Sequence, residues 1–163
     1  MVSRRVLLGV LLVLLGVLPA GSQELRIPRP VGYVNDFASV ISPPHEEAID
    51  RLIGEVRTKS GGEIVVVTLP SLEGRSRDEV ALQIGREWGV GKAGKPGDLA
   101  RNTGAIVLVS IRDRKWKIEL GYGANTFITA AEAGRIGREM VSRFPQGDFG
   151  GGIFLAVQGL ARE

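Results

Sequence analysis

The stretch Gly104-Ala-Ile-Val-Leu-Val-Ser-Ile-Arg-Asp-Arg-Lys-Trp-Lys-Ile-Glu-Leu-Gly-Tyr-Gly-Ala-Asn125 decides the fold. Residues 104–111 are apolar at both alternating positions, as a strand covered on both faces requires. Arg112-Asp113-Arg114 reads as a short polar turn. Trp116, Ile118 and Leu120 then alternate with Lys117 and Glu119, the pattern of a strand wetted on one face. A turn centred near Asp113 sets Gly104 opposite roughly Tyr122. It brings Asn102 and Thr103 beside Gly121-Tyr122-Gly123 and Asn125. Polar side chains and pliable backbone converge there, so a site is expected at that end of the sheet.

Upstream, Glu63-Ile-Val-Val-Val-Thr-Leu69 reads as a second buried strand closed by Pro70. Ile49, Leu52, Ile53 and Val56 fall at i, i+3, i+4 and i+7, one apolar helix face opened by Ser42-Pro43 and ended by Gly61-Gly62. Ser76 with Glu79, and Thr129 with Glu132, are capping-box patterns for helices to Trp88 and to about Phe144. Residues 33–41 are extended or loop. Residues 89–103 form a long Gly/Lys/Pro loop. Residues 146–152 read as a turn before a short last helix carrying Ile153, Leu155, Ala156 and Leu160. A strand–helix–strand crossover is expected to be right-handed. The expected fold is α/β, a Rossmann-like three-layer α/β/α sandwich with a small mixed sheet.

The start of the chain reads differently. Arg4-Arg5 precede an apolar run over residues 6–18, and Ala20-Gly21-Ser22 offers a small-residue cleavage site. The expected organisation is a signal peptide at 1–22, a linker at 23–32 and one domain at 33–163. The protein is therefore expected in the periplasm or outside the cell, with an N-terminal membrane anchor as the minority reading. No Cys follows the apolar run, which excludes a lipoprotein. The formal net charge is +3, but without Arg4 and Arg5 there are 19 basic and 18 acidic residues, a net of +1. That balance gives no argument for nucleic acid. With no Cys at all, disulfides, thiol catalysis and Cys-ligated zinc are excluded.

Few motifs point to chemistry. Gly89-Val-Gly-Lys-Ala-Gly94-Lys95-Pro96 approaches a phosphate loop, but Pro96 stands where a Ser or Thr must hold magnesium, and a helix precedes it. Nucleotide binding is not expected. Gly121-Tyr122-Gly123 lacks the third glycine of a dinucleotide fingerprint. His45 is the only His, in a polar helix start, so no histidine base or serine–histidine pair is expected. The remaining polar candidates are Asp36, Asp98, Asn102, Asn125 and Asp148, all in expected loops. Oxygen donors of this kind can hold a hard cation, and they equally populate turns for backbone reasons.

Seven segments in order resemble the TPM domain family, over about residues 31–160. They are Val34-Asn-Asp-Phe-Ala-Ser-Val-Ile-Ser42, Gly62-Glu-Ile-Val-Val-Val-Thr-Leu69, Trp88-Gly-Val-Gly91, Arg101-Asn-Thr-Gly-Ala-Ile-Val-Leu-Val109, Ile118-Glu-Leu-Gly-Tyr-Gly123, Phe127-Ile-Thr-Ala-Ala-Glu-Ala-Gly134 and Gly147-Asp-Phe-Gly-Gly-Gly-Ile153. The resemblance implies an exported or lumenal α/β/α domain. It is similar to a plant thylakoid-lumen protein credited with acid phosphatase activity and a part in photosystem repair. Some members bind calcium, and many bacterial members have no assigned activity.

Three departures bear on that implication. Asn102-Thr103-Gly104 stands for the family's Asp-Asn-Gly, Gly121-Tyr-Gly-Ala-Asn125 for Gly-x-Gly-Leu-Glu, and Thr129-Ala130-Ala131 for Thr-Asp-Ala. Asn102, Asn125 and Ala130 thus replace three carboxylates, while Asp36 and Asp148 match the pattern. Calcium affinity depends on ligand charge, so weak calcium binding or none is expected unless Asp98 compensates. Two functions follow as expectations. One is a non-enzymatic envelope module, an assembly or quality-control accessory with an envelope or membrane protein as partner. The other is an acid phosphatase assisted by calcium or magnesium. There Asp36, Asp98 and Asn125 would hold the cation, and Lys92, Lys95 or Arg101 would steer a phosphate-containing ligand.

Overall fold

A computed structural model describes residues 26–91 and 102–163. The expected signal peptide, Asp98 and the cations Lys92, Lys95 and Arg101 lie outside the described residues. Among the described residues four strands form one mixed sheet in the order β1 (Val34–Asp36), β2 (Glu63–Leu69), β3 (Gly104–Ser110) and β4 (Lys115–Leu120). The first three run parallel and β4 runs antiparallel to β3. β3 is buried along its whole length and β2 nearly so, which is why both read as unbroken apolar runs.

The α-helices among the described residues are α1 (Pro43–Ser60), α2 (Arg77–Trp88), α3 (Ala130–Val141) and α4 (Phe149–Leu160). One core packs Ile49, Ile53, Ile136, Met140, Ile153 and Val157 from α1, α3 and α4 on Val34, Val66, Val107 and Ile118. A smaller core packs Val80, Ala81 and Ile84 of α2 on Val65, Val67, Ile106 and Leu108. The three-layer reading therefore holds, with three helices on one face and one on the other. Among the described residues every fully buried apolar side chain falls within 34–160, and no helix is long and apolar enough to cross a membrane.

The local signals explain most boundaries. Gly61 ends α1 in the left-handed region at φ 71. Thr129 and Glu132 form the expected capping box. Ser76 caps α2 through the Asp78 N–H, without the return bond expected from Glu79. α3 ends at Val141, before a 3-10 turn at Phe144–Gln146. The pairing register places Leu120 opposite Ala105, so Gly104 faces Gly121 rather than Tyr122.

Two expectations are corrected. Residues 149–152 are helical, not a turn, because Asp148 caps α4 and the glycines answer close packing. A Cβ on Gly150 would lie 2.8 Å from the His45 ring, and one on Gly152 would lie 2.5 Å from the Met140 carbonyl oxygen. The first crossover is the second correction. β1 to β2 and β2 to β3 step the same way across the sheet, yet α1 and α2 lie on opposite faces, so their crossovers have opposite hands. Val66 donates its N–H to the Tyr33 carbonyl while its side chain faces α1. For an L residue this geometry places β1 to the right of β2, viewed from α1 with the strands running upward. The chain then steps leftward behind a helix in front. β1–α1–β2 is left-handed, and β2–α2–β3 has the usual hand. β1 spans three residues and carries little twist, so it exerts little of the bias behind the rule.

Candidate functional site

The two ends of the sheet hold different chemistry. At the carboxyl ends of the parallel strands, Asp36 follows Asn35 and is paired in register with Thr68. Its Oδ1 accepts from the Val40 N–H at 3.1 Å and from the Thr68 hydroxyl; its Oδ2 accepts from the Ile41 N–H at 2.8 Å. Both oxygens thus hold the turn that feeds α1. Asp148 lies toward this end too, because the starts of α1 and α4 touch at His45 and Gly150. Its Oδ1 caps the Gly151 N–H at 2.9 Å, and its Oδ2 accepts from Arg143 at 3.3 Å.

Sequence reasoning read Asp113 only as a turn residue. Its carboxylate ties the β3–β4 turn to the loop after β2, accepting from the Ser110 hydroxyl, the Leu72 N–H at 2.6 Å and the Ser71 hydroxyl. The Ser110 hydroxyl, then the Leu72 N–H, hold its pKa below the usual aspartate value. A signal was present in the order Ser110-x-x-Asp113 at the end of a strand. Its partners Ser71 and Leu72, some forty residues away, had no signal.

Beside Asp113 a cavity of about 600 Å³ opens between the β3–β4 turn and the α3–α4 connection. Trp116, Phe144, Phe149 and Ile111 give it apolar walls, with Arg114 and Lys115 among its lining residues. The Phe144 and Phe149 rings stack tilted at 4.8 Å. Arg114 and Lys115 are exposed and form no ion pair among the described residues. The arrangement can hold an apolar or aromatic group and neutralise an attached anion.

The opposite end is built from backbone. Asn102 adopts φ 60, and its carbonyl accepts from the Gly123 N–H at 3.1 Å and the Ala124 N–H at 3.3 Å. Gly121 is required here, since a Cβ would sit 2.1 Å from that carbonyl oxygen. Gly89 ends α2 at φ 71, and Gly91 lies against Gly104, where a Cβ would come within 2.4 Å of the backbone nitrogen. Gly89 and Gly91 of the stretch that approached a phosphate loop therefore serve a helix end and a close crossing, while Gly94 to Pro96 lie outside the described residues. Asn102 lines a small cavity of about 160 Å³ with Tyr122 and Arg86. Asn125 and Ala130 line a separate groove of about 290 Å³ along β4. Two of the three departure positions thus share one groove. Glu119 is the acid lining it, and it pairs with Lys117 at 3.3 Å.

The structure thus separates the candidates. Asp36 and Asp148 lie at one end and Asn102 and Asn125 at the other, with β2 and β3 between them spanning about 20 Å. Among the described residues no three His, Cys, Asp or Glu side chains cluster as a metal site.

This mixed α/β sandwich defines the structural class. A family model described as the TPM domain matches residues 34–163, and the chain belongs to that family. No curated protein matches it. Among solved structures it resembles the N-terminal domain of a protein from P. gingivalis, at 23% identity and a TM-score of 0.71, covering 85% of this chain and 92% of that one. It also resembles the N-terminal domain of the cg2496 protein from Corynebacterium glutamicum, at 19% identity and a TM-score of 0.63, covering 86% and 87%. A third, the BA42 protein of Bizionia argentinensis, is 18% identical with a TM-score of 0.60, covering 75% and 79%. At these identities the likeness concerns the fold.

Proposed function

We propose that this TPM domain is an exported binding module of the cell envelope, recognising a partner through an anionic group joined to an apolar one. The cavity at the carboxyl end of the strands carries this reading: aromatic walls with two exposed cations, Arg114 and Lys115, that form no ion pair among the described residues. The cation site is the weakened part. Asn102, Asn125 and Ala130 supply two amides and no carboxylate, a set that fits calcium poorly. Export rests on the Arg4-Arg5 start, the apolar run and the small residues at 20–22.

Phenyl phosphate tests this reading, because it is both an aromatic anion and a phosphatase substrate. In a Trp88→Phe background, titration should change the Trp116 fluorescence saturably. Arg114→Ala with Lys115→Ala should weaken that response at least about tenfold, the loss of two charge-assisted contacts. An absent response, or one indifferent to both substitutions, contradicts the proposal.

The second reading is the metal-assisted acid phosphatase, favoured by the family resemblance and by the anion-attracting rim. It cannot use Asp36 and Asn125 together, since they occupy opposite ends of the sheet. Release of phenol that requires calcium or magnesium would establish it.

A further inference from the structure

Among the described residues no strand pairs with the outer side of β4, which is an open edge of the sheet. Gly121 donates to the Gly104 carbonyl, which fixes the alternation of the β3–β4 ladder. Glu119 and Lys117 therefore point their backbone groups at β3, while Trp116, Ile118 and Leu120 point theirs outward. One outward acceptor is in use: Arg77 donates to the Trp116 carbonyl at 2.9 Å, and a carbonyl has a second lone pair. Such an edge is a template for another strand.

The side chains along it are complementary to themselves. About a twofold axis through Ile118, Trp116 faces Leu120 of a second copy, and Ile118 faces its own counterpart. On the other face Lys117 falls opposite Glu119 of the second copy, and Glu119 opposite Lys117. These are non-hydrogen-bonded pairs, the closely spaced kind in an antiparallel ladder, where opposite charges attract and like charges repel. Both side chains are partly exposed, at 29% and 28%, and Lys117 already bridges Glu119 at 3.3 Å and Asp78 of α2 at 2.7 Å, so pairing with a second strand extends an existing charge cluster. On the helical face the flanking groove is lined by Ala130, Ala133 and Gly134, whose small side chains leave room for approach.

We propose that the β4 edge pairs antiparallel with β4 of a second copy, in the register set by Lys117 and Glu119, to form one continuous sheet across a symmetric dimer. The interface is isologous, and each charge meets its opposite on both sides of the axis. It shares Trp116 with the cavity but needs neither Arg114 nor Lys115, so loss of anion binding on substituting those two leaves it standing.

The test uses residues 23–163, which hold every described element and the whole core, in sedimentation equilibrium up to roughly 0.5 mM, where weak short-edge pairing becomes populated. Wild type should approach twice the monomer mass. Glu119→Lys makes both positions basic and Lys117→Glu makes both acidic, so each variant alone should remain monomeric. An equimolar mixture of the two should recover the doubled mass, because basic and acidic edges then match. Circular dichroism shows that each variant is folded, and the recovery in the mixture excludes misfolding as the cause of the loss. A monomeric wild type throughout, a dimer that both variants retain, or a mixture that stays monomeric overturns the proposal.

Discussion

The two ends of this sheet use polar residues in opposite ways. At the carboxyl end three aspartates are taken up by the protein's own donors: Asp36 by Val40, Ile41 and Thr68, Asp113 by Leu72 and Ser110, Asp148 by Gly151 and Arg143. At the amino end Asn102, Asn125 and Ala130 supply no carboxylate, and backbone contacts shape the loop. An acidic residue in a loop is thus no guide to a cation. What matters is whether its lone pairs are already in use. Beside the aromatic cavity the side chains without an ion pair among the described residues are cationic, Arg114 and Lys115, which is why the cavity suits an anion.

The largest effect should come from Asp36→Ala, which leaves two N–H groups and the Thr68 hydroxyl without their acceptor. Urea unfolding should show a loss of about 2–4 kcal/mol, the scale for stranding partly buried donors of a charged acceptor. An unchanged stability would return Asp36 to the list of free ligands. Restoring acid at the other end makes the converse test. Asn102→Asp, Asn125→Glu and Ala130→Asp together should create calcium-dependent stabilisation of about 2.7 kcal/mol at a hundredfold excess over Kd, absent in wild type. Thermal unfolding with and without calcium reads it.

Gly121→Ala should cost about 1–3 kcal/mol, because the added methyl meets the Asn102 carbonyl and the loop must move. Asp113→Asn should cost about 1–2 kcal/mol through weakened bonds to Leu72 and Ser110. It should also alter the acid limb of stability. Asp113 has a lowered folded pKa, so the unfolded chain takes up the proton first as pH falls. Its contribution is present above the ordinary value of 3.8 and is lost as pH falls through the lowered one. Asp113→Asn should therefore flatten the urea midpoint against pH in that acid window. An identical slope in the variant would remove Asp113 from the account. Arg114→Ala, with an exposed side chain, should change stability by less than about 0.5 kcal/mol while weakening anion binding.

The sequence made the scaffold readable where local rules act alone. β2, β3 and β4 stood out by periodicity, the α1 boundaries by Ser42-Pro43 and Gly61, and the start of α3 by the Thr129–Glu132 box. The meeting of Asn102 with the Gly121 turn was also readable, because a hairpin fixes its own register to within a residue. The hand of the first crossover was not, since it depends on which face α1 takes. Nor was the start of α4, where three successive glycines read as a turn until His45, Phe144 and Met140 supply the packing that needs them. Whether Asp36 could meet Asn125 turned on strand order and direction, which no local pattern encodes. The cavity escaped notice because its aromatic walls come from residues 116, 144 and 149, and Trp116 alone looked like ordinary core.

The most direct measurement is a two-dimensional amide NMR titration of residues 23–163, first with calcium and then with phenyl phosphate. The account predicts no saturable shifts at Asn102, Gly123 or Asn125 up to millimolar calcium. It predicts saturable shifts around Ser110, Trp116 and Phe149 on adding phenyl phosphate. Micromolar calcium shifts at Asn102 and Asn125, with a silent cavity, would contradict it and place the working end of the domain at the amino ends of the strands.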